Sequence, residues 1–401
     1  MDIYLGKYKK QLQQELKEIL DYWIEFTPDH ENGGFYGSVN NDNVPEKQAP
    51  KGVVLNARIL WTFSAAFNYK QNKKWLLIAR RAYEYINSYF VDREFGGVYW
   101  TVDYRGKKLN DRKQIYGIAF CIYALSEYSK ASGDEAALEL AIRLYQDIEG
   151  HAYDRKHKGY FEAFDREWNG IADLRLSAKD ANERKTMNTH LHIAEAYANL
   201  YQAWPDKKLK RQLDNLLEVF AHHIVDSRSF HLKLFFTENW TSRSNIISYG
   251  HDIEAAWLLQ KVAETIRHRG WTVTMRSLGV KIADAVVSGI DEEGGLMYES
   301  ENGHHITEKH WWPQAEAMVG FFNAFQVTGD DAYLMRSLQS WDFAEKFIKD
   351  HDNGEWFWGV NEDHSIMENK DKAGLWKCPY HNVRACLQII NRIEQVICLQ
   401  D

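Results

Sequence analysis

The sequence predicts an all-α protein, a closed (α/α)6 barrel of about twelve helices with short β-hairpin segments in the long loops at one end. Three observations predict this fold. Proline is scarce, at 6 of 401 residues, which permits long helices. A short segment rich in glycine and aromatic residues recurs six times, at intervals of roughly sixty to seventy residues. Between these segments, apolar residues recur at the helical spacing i, i+3, i+4 and i+7.

The recurring segments alternate residue types and carry aromatic or β-branched side chains, as short strands and hairpins do. They are GGFYG from Gly33, GGVYW from Gly96, GYFEAF from Gly159, FHLKLFF from Phe230, GGLMYES from Gly294 and GEWFWGV from Gly354. Their spacing is longer than that of common solenoid repeats, so each repeat has room for a helical hairpin and a loop.

The helical spacing predicts two helices in each repeat. The expected ranges are 5–27, 50–70, 73–91, 113–131, 134–150, 183–203, 206–225, 250–269, 271–290, 310–328, 330–349 and 378–396. Within a hairpin the helices meet at tight turns such as SGD at Ser132 and TGD at Thr328. The other connections are long and contain the glycine and aromatic segments.

Closure into a ring is favoured over an open solenoid, because the first helix has only the last as an unused neighbour and the repeats stop at six. In such a ring the long connections all emerge at one end. We therefore expect a single catalytic domain, residues 1–401, with the aromatic segments around one mouth.

Composition excludes several classes of function. The formal net charge of −8 gives no basic surface for nucleic acid. No apolar run approaches the roughly 18 residues of a membrane span, and the charged N-terminus is not a secretory signal. The four cysteines are too few and too scattered for a disulfide framework. These features predict a cytoplasmic protein that binds neither nucleic acid nor membrane. We also expect a monomer or weak homodimer, although composition does not bear on the oligomeric state.

Polar and aromatic residues collect at the starts of the even-numbered helices, those that follow the long connections. They are Asn56 and Arg58, Tyr116, Asn188 and His192, His251 and Glu254, Trp311, Trp312 and Glu316, and Trp376, Tyr380, His381 and Arg384. The odd-numbered helices show no comparable set. If the even helices form the inner ring, these residues line one pocket at the mouth. Singly, a histidine or tryptophan more often packs a core, and it is their joint occurrence at equivalent positions that favours a function.

Spacing within a helix places some of these residues on one face. Asn188 and His192 are separated by four residues. His251 and Glu254 are separated by three, close enough to predict that the carboxylate orients the imidazole.

Other chemistries leave little trace in the sequence. It contains no phosphate-binding loop, no dinucleotide-binding GxGxxG, no GxSxG and no HExxH. His192, His251 and His381 offer a three-histidine zinc site in principle. Acid–base chemistry is favoured over that site, because no compact ligand motif accompanies these residues.

Seven segments resemble the N-acylglucosamine 2-epimerase superfamily, and most closely its bacterial cellobiose 2-epimerase branch. They are ENGGFYG, KGVVLNARILW, GGVYW, TMNTHLH, SYGHDIEAAWLL, WWPQAEAMVGF and WKCPYHNVR, and the resemblance runs from about residue 20 to 395. It implies an (α/α)6 barrel that inverts C2 of a reducing-end sugar without a metal or other cofactor. The chain departs from the branch at Val383, where the pattern has glycine, and a side chain there would crowd the pocket floor.

The resemblance also implies roles for individual residues. His251 and His381 would be the acid–base groups, with Glu254 supporting His251 and Arg58 binding the sugar oxygens near C1 and C2. The implied substrate-binding residues are Tyr116, Asn188, His192, Trp311, Trp312, Glu316 and Trp376. The expected partner is a small sugar, such as cellobiose or lactose, epimerised through ring opening and a cis-enediolate.

Other functions stay open at this point. Mannobiose, mannose or ketose formation would use the same site, with the preference set by loops 171–185 and 237–248. A glycoside hydrolase would instead need a pair of carboxyl groups flanking the bond. A non-catalytic sugar-binding protein would leave the histidines unexplained.

Overall fold

The computed structural model describes the backbone of residues 2–398 and the side chains of residues 4–396. This part of the chain forms twelve α-helices: α1 (Asp2–Phe26), α2 (Val53–Lys70), α3 (Lys73–Tyr85), α4 (Ile115–Ser132), α5 (Glu135–His151), α6 (Met187–Ala203), α7 (Lys207–Val219), α8 (Tyr249–Thr265), α9 (Arg269–Val286), α10 (Trp311–Thr328), α11 (Asp331–Phe343) and α12 (Tyr380–Cys398). Helices α3, α7 and α11 each continue into one π-helical turn, and α9 continues into a 3-10 turn. The twelve predicted helices are confirmed.

The even-numbered helices form a closed inner ring. Each packs against the next, and α12 packs against α2. The odd-numbered helices lie outside, each against its hairpin partner, and α1 packs against α12. The predicted (α/α)6 barrel is therefore confirmed, and α12 is the neighbour that the sequence assigned to the first helix.

The distribution of apolar residues around a helix determines whether the helix joins the inner or the outer ring. In α4, every residue from Ile115 to Tyr128 is buried. In α7, whose sequence is KKLKRQLDNLLEV, burial is confined to the leucines and one valine of a single face. A helix that is apolar all round must be enclosed, whereas an amphipathic helix covers the core with one side and meets water with the other.

The short connections are fixed by caps. Helix α4 ends at Gly133, whose φ of 73° places it in the left-handed region that glycine adopts without strain. The Asp134 side chain then accepts hydrogen bonds from the first backbone N–H groups of α5. Gly329 and Asp330 repeat this arrangement between α10 and α11.

Short strands in the six long connections form a belt around one end of the ring. The strands are β1 (Lys51–Gly52), β2 (Thr101–Val102), β3 (Lys108–Asn110), β4 (Lys113–Gln114), β5 (Ala163–Phe164), β6 (Lys185–Thr186), β7 (Phe235–Phe236), β8 (Ile246–Ser248), β9 (Glu299–Glu301), β10 (His304–Ile306), β11 (Lys309–His310) and β12 (Gly359–Val360). Consecutive connections are joined by antiparallel pairing of β1 with β2, β4 with β5, β6 with β7, β8 with β9 and β11 with β12. A bridge between Val39 and Ala373 joins the last connection to the first.

Each predicted glycine and aromatic segment also folds back on the end of the preceding helix. The bridged pairs are Pro28 with Phe35, Val91 with Val98, Tyr153 with Tyr160, Val225 with Leu232, Ile290 with Leu296 and Lys349 with Trp356. The prediction that these segments form short strands and hairpins is confirmed.

An ion pair joins the two ends of five of the six long connections, and it is buried in all but the fifth connection, where Asp291 is partly exposed. Each pair links an aspartate just after an outer helix to a lysine before the next inner helix. The pairs are Asp29–Lys51, Asp92–Lys113, Asp154–Lys185, Asp291–Lys309 and Asp350–Lys372. Four of these pairs, those of Lys51, Lys113, Lys185 and Lys309, hold the chain two residues before the first turn of an inner helix.

No helix in the described part of the chain combines the length and the apolar character that crossing a membrane requires.

Candidate active site

A cavity of about 510 Å³ opens at the end of the ring that carries the long connections. Its walls include nearly all of the residues predicted from the sequence: Arg58, Tyr116, Asn188, His192, His251, Glu254, Trp311, Trp312, Trp376 and His381. The outer walls come from the α5–α6, α7–α8, α9–α10 and α11–α12 connections. One connection therefore adds loop 171–185, which the sequence pointed to as a determinant of substrate preference.

Many of the predicted site residues occupy one of two positions in their inner helices, whereas His251 is the third residue of α8 and Trp311 the first of α10. Tyr116, Asn188, Trp312 and His381 are each the second residue of their helix, and Arg58, His192, Glu254 and Glu316 are each the sixth. Positions separated by four residues lie on one helix face, one turn apart. The second positions therefore form an upper layer near the mouth, and the sixth positions form a deeper layer along the barrel axis.

His381 is held by a carboxylate. Its Nδ1 lies 2.7 Å from Oε1 of Glu316. Glu316 also accepts hydrogen bonds from Arg384 and from Trp257, so it acts as an acceptor toward the ring as well. We infer that Nδ1 carries the ring hydrogen and that Nε2 faces the cavity as an unprotonated base. Glu316 therefore lies behind His381 and does not line the cavity, because His381, Arg384 and Trp257 occupy its carboxylate, and its predicted contact with the sugar is wrong.

His251 is held by a hydroxyl group. Its Nδ1 lies 2.8 Å from Oγ of Ser248, the residue just before α8. The predicted support of His251 by Glu254 is wrong, since the Glu254 carboxylate accepts a hydrogen bond from the Arg384 guanidinium instead. A full positive charge attracts a buried carboxylate more strongly than a neutral imidazole does.

Beneath the histidines, Arg384 binds three glutamates from three different inner helices, Glu195, Glu254 and Glu316. All four side chains are buried, and with every carboxyl ionised the cluster would carry a charge of −3 + 1 = −2. Burial, with the nearby Glu316 acting in the same direction, raises the pKa of Glu254 to about 7. Burial also raises the pKa of Glu316, against the opposing effect of Arg384. The cluster can therefore hold a proton near neutral pH.

Both histidines are neutral in the free protein. Removal from water lowers the pKa of His251 to about 3, with His192 and Arg58 adding to the effect. Burial likewise lowers the pKa of His381 well below its usual range, and Arg58 and Arg384 act in the same direction. Neutral imidazoles are available as bases from mildly acidic pH upward.

Arg58 is a buried cation with no carboxylate partner among residues 4–396. Its guanidinium donates to the Tyr116 hydroxyl at 2.8 Å and to the Trp376 carbonyl at 3.3 Å, and it lies 4.3 Å from the centre of the Phe120 ring. Its Nε has no hydrogen-bond partner in that part of the chain. A guanidinium placed in this way is free to pair with an anion in the cavity.

Trp312 lies beside both imidazoles. Its ring centroid is 4.7 Å from that of His251 and 5.6 Å from that of His381. Gly250 makes room for it, since a β-carbon there would lie 2.5 Å from Cη2 of Trp312. The indole therefore presents an apolar surface next to the candidate bases.

Several cavity residues were missed from the sequence. Glu162, inside the GYFEAF segment, lines the cavity and accepts hydrogen bonds from the Thr186 and Thr189 hydroxyls. Trp358, inside GEWFWGV, lines the outer part. Their signal was present, because both lie in the repeated segments that meet at the mouth. Val383 is buried in the core and does not line the cavity, so the expected crowding of the pocket floor is wrong.

Three groups of side chains among the described residues bring potential metal-ligand atoms within 4.8 Å of one another. They are Asp154, His157 and Glu238; Glu254, Glu316 and His381; and Asp291, Glu293 and His364. Each already pairs with a cation, Lys185, Arg384 or Lys309 respectively. The zinc alternative of His192, His251 and His381 is not among these groups, because the three ligand atoms do not converge.

A closed ring of helical hairpins, with two histidines on the walls of one cavity, defines the class of proteins to which this chain belongs. The pattern of the N-acylglucosamine 2-epimerase (GlcNAc 2-epimerase) family matches residues 33–385, and the chain belongs to that family.

Similar proteins of known activity match along their whole length. The chain is 48% identical to the cellobiose 2-epimerase of Bacteroides fragilis, over 95% of this chain and 98% of that protein. It is 39% identical to the cellobiose 2-epimerase of Dictyoglomus turgidum, over 94% and 96% respectively. The solved structure of cellobiose 2-epimerase from Bacillus thermoamylovorans B4167 is similar with a TM-score of 0.92 and 38% identity, over 96% of this chain and 100% of that chain.

Proposed function

We propose that this protein is a cellobiose 2-epimerase, an isomerase that inverts C2 of the reducing-end glucose in cellobiose and in other β-1,4-linked disaccharides such as lactose. One observation carries the proposal. Two neutral histidines line one cavity, and the Nε2 of each has no hydrogen-bond partner among the described residues. The similarity to cellobiose 2-epimerases along the whole chain supports the choice of substrate.

Ring opening comes first, because H2 of a sugar becomes acidic only beside a free aldehyde. A histidine Nε2 takes the proton from O1 and passes it to the ring oxygen O5, and the C1–O5 bond breaks as the C1 aldehyde forms. Positioned imidazoles supply roughly 10²- to 10⁴-fold in such proton transfers.

Removal of H2 then gives a cis-enediolate. His381 is the stronger candidate for this base, since Glu316 compensates the positive charge that its ring gains. The electron pair of the C2–H bond forms C1=C2, and negative charge moves to O1. Arg58 is the unpaired cation that would stabilise this oxygen.

Inversion requires the proton to return to the opposite face of C2. His381, which holds the proton taken from C2, returns it after the intermediate rotates about C2–C3, or His251 delivers a proton that it has taken from water while His381 gives up its own to water. Both routes use histidines on the walls of the same cavity.

Unpaired polar atoms support binding of a hydroxyl-rich ligand. Asn188 Oδ1, Trp311 Nε1 and Trp358 Nε1 are buried and have no partner among residues 4–396. A buried polar atom without a partner costs about 1–3 kcal/mol, so each gains by meeting a sugar hydroxyl. Trp312 and Trp376 provide flat apolar surfaces for the sugar faces.

The decisive experiment is incubation with cellobiose in D₂O, followed by NMR. We expect glucosyl-mannose with one deuterium at C2, whereas a hydrolase would release glucose and a binding protein would leave C2 unlabelled. His251→Asn and His381→Asn should each abolish turnover while the helical circular dichroism stays native. Retention of more than a few percent of activity would remove that histidine from the mechanism.

A panel of cellobiose, lactose, mannobiose, mannose and N-acetylglucosamine separates the alternatives within the family. Preference for mannobiose or mannose, or accumulation of a ketose, would change the proposed substrate or product but not the proposed active site. The expected cytoplasmic location, the monomer or weak dimer and the lack of affinity for nucleic acid and membranes stay predictions.

A further inference from the structure

The start of α12 is built differently from the starts of the other inner helices. Helices α2, α4, α6, α8 and α10 each follow directly on a paired strand. Residues 374–379, which precede α12, form no strand, and the last bridged residue before them is Ala373. This segment nevertheless carries Trp376, and His381 is the second residue of the helix. Side-chain contacts must therefore fix what strand pairing fixes elsewhere.

The Glu355 carboxylate makes these contacts. Its Oε1 accepts hydrogen bonds from Lys377 Nζ at 2.9 Å and from Asn382 Nδ2 at 2.7 Å. Its Oε2 accepts from Trp23 Nε1 at 2.6 Å. Lys377 directly follows Trp376, and Asn382 directly follows His381, so one buried carboxylate ties the neighbours of both site residues to helix α1.

The backbone at Glu355 is strained to place this carboxylate. Its φ is 62°, in the left-handed region. The equivalent residues of the first three connections, each just before the bridged residue of its segment, are Gly34, Gly97 and Gly159, with φ of 61°, 64° and 77°. A β-carbon is disfavoured in this conformation, whereas glycine adopts it freely. The sixth connection therefore carries a charged side chain where glycine would fit better.

We propose that Glu355 is a positioning residue for His381 and Trp376, acting through Lys377 and Asn382. The inference rests on the proposed epimerase activity, because the two positioned side chains are those assigned to proton transfer and sugar stacking. Lys377 is buried, and Glu355 is the only hydrogen-bond partner of its ammonium group among residues 4–396. Its ammonium also lies 5.2 Å from the centre of the Trp311 ring. Release of this contact would loosen one wall of the cavity without touching the sugar directly.

The test removes the ion pair between Glu355 and Lys377 in two ways. Comparison of the two variants separates a loss of activity caused by misplaced site residues from one caused by lower stability. Glu355→Gly relieves the backbone but leaves the Lys377 ammonium buried without a partner, so the protein loses stability and activity together. The double variant Glu355→Gly with Lys377→Met removes both charges and restores much of the thermal midpoint. We expect this double variant to keep a kcat for C2 exchange at least tenfold below that of the unaltered protein. Glu355→Gln, which retains the acceptor oxygen, should recover part of that rate.

A matched control lies next to the clamp that Glu355 forms with Lys377 and Asn382. The buried Glu15 also pairs with a lysine, the partly exposed Lys349, and accepts a hydrogen bond from the Trp356 indole, but neither residue contacts the start of α12. Glu15→Gln with Lys349→Met should lower the thermal midpoint and leave kcat within about threefold of the unaltered value, since the residues of the cavity keep their positions.

Hydrogen exchange measured by mass spectrometry gives a readout that does not depend on activity. Peptides covering residues 374–382 should exchange faster in the double variant, while those covering 246–256 stay unchanged. If the unaltered protein failed to label cellobiose at C2, the proposed function would fall and this readout would still judge the clamp. The positioning role is overturned by unchanged exchange at 374–382, or by a double variant whose kcat is within threefold of the unaltered protein.

Discussion

The Nδ1 atom of His381 and the Oε1 atom of Glu316 lie 2.7 Å apart, although 65 residues separate them in the chain. They meet because the second position of α12 and the sixth position of α10 adjoin in the inner ring. This pair orients the ring, sets its tautomer and compensates the charge that it acquires as a base.

Replacement of Glu316 by glutamine should therefore weaken His381 as a base while the cavity still binds the sugar. The amide keeps the shape but cannot compensate an imidazolium, and its NH₂ group can stabilise the wrong tautomer. We expect kcat to fall by roughly 10²- to 10⁴-fold, by analogy with orienting carboxylates in other histidine systems, with KM for cellobiose changing less. Retention of a third of the activity would contradict this role, and the exposed Glu84→Gln serves as the control.

Arg58→Lys tests the stabilisation of the enediolate. Lysine keeps the charge but loses the planar group that donates to Tyr116 and stacks on Phe120. Loss of a donor to a developing oxyanion costs about 2.7–4 kcal/mol, or roughly 10²- to 10³-fold in kcat. Steady-state kinetics should show this loss, whereas the exposed Arg80→Lys should show none. A loss smaller than tenfold would place the charge stabilisation elsewhere.

Gly250→Ala tests the packing of Trp312 against the histidines. The new β-carbon would lie 2.5 Å from Cη2 of the indole, so the ring must move away from its place beside His251. We expect at least a tenfold fall in kcat/KM for cellobiose. Gly150→Ala is the matched control, because Gly150 is also helical and a β-carbon there meets nothing within 4 Å. Equal effects of the two substitutions would refute a specific role for Gly250.

The pKa of Glu254 predicts a pH-dependent stability. Its pKa is raised from 4.5 to about 7, so the folded protein binds this proton more tightly than the unfolded chain does. The stability contributed by the carboxyl group is complete below pH 4.5 and is lost as pH rises to 7, by a total on the order of 3 kcal/mol. Glu254→Gln cannot titrate. Its unfolding free energy, measured relative to the unaltered protein by denaturant titration, should therefore rise between pH 4.5 and 7 and level off above. A constant difference across that range would show that the pKa is not raised.

Much of the fold could be predicted because the same signals recur. Apolar spacing gave the helices, and glycine with aromatic residues marked the connections. The inner ring followed from one asymmetry, the polar residues at the starts of even-numbered helices, and this asymmetry also brought Arg58, His251 and Trp376 together at one cavity. The ion pairs of the connections were missed, although Lys51, Lys113, Lys185 and Lys309 each stand two residues before an inner helix.

The details of the site could not be predicted from spacing within one helix. His251 and Glu254 are three residues apart, which places them on adjoining faces but does not choose their partners. Arg384, on another helix, binds Glu254, and Ser248 binds the imidazole instead. Glu316 was expected at the sugar, but His381 and Arg384, both on α12, bind its carboxylate instead. Tertiary contacts between distant segments determine which hydrogen-bond partner each of these side chains has.

The belt of paired strands and Asp–Lys bridges has a consequence for how the protein loses its structure. In an open array of helical hairpins, the terminal repeats have one neighbour and can unravel alone. Here every hairpin is flanked on both sides, and detaching any one breaks a strand pairing with each neighbouring connection. The ring has no frayed edge from which melting can begin, so its helices should unfold together in a single cooperative transition.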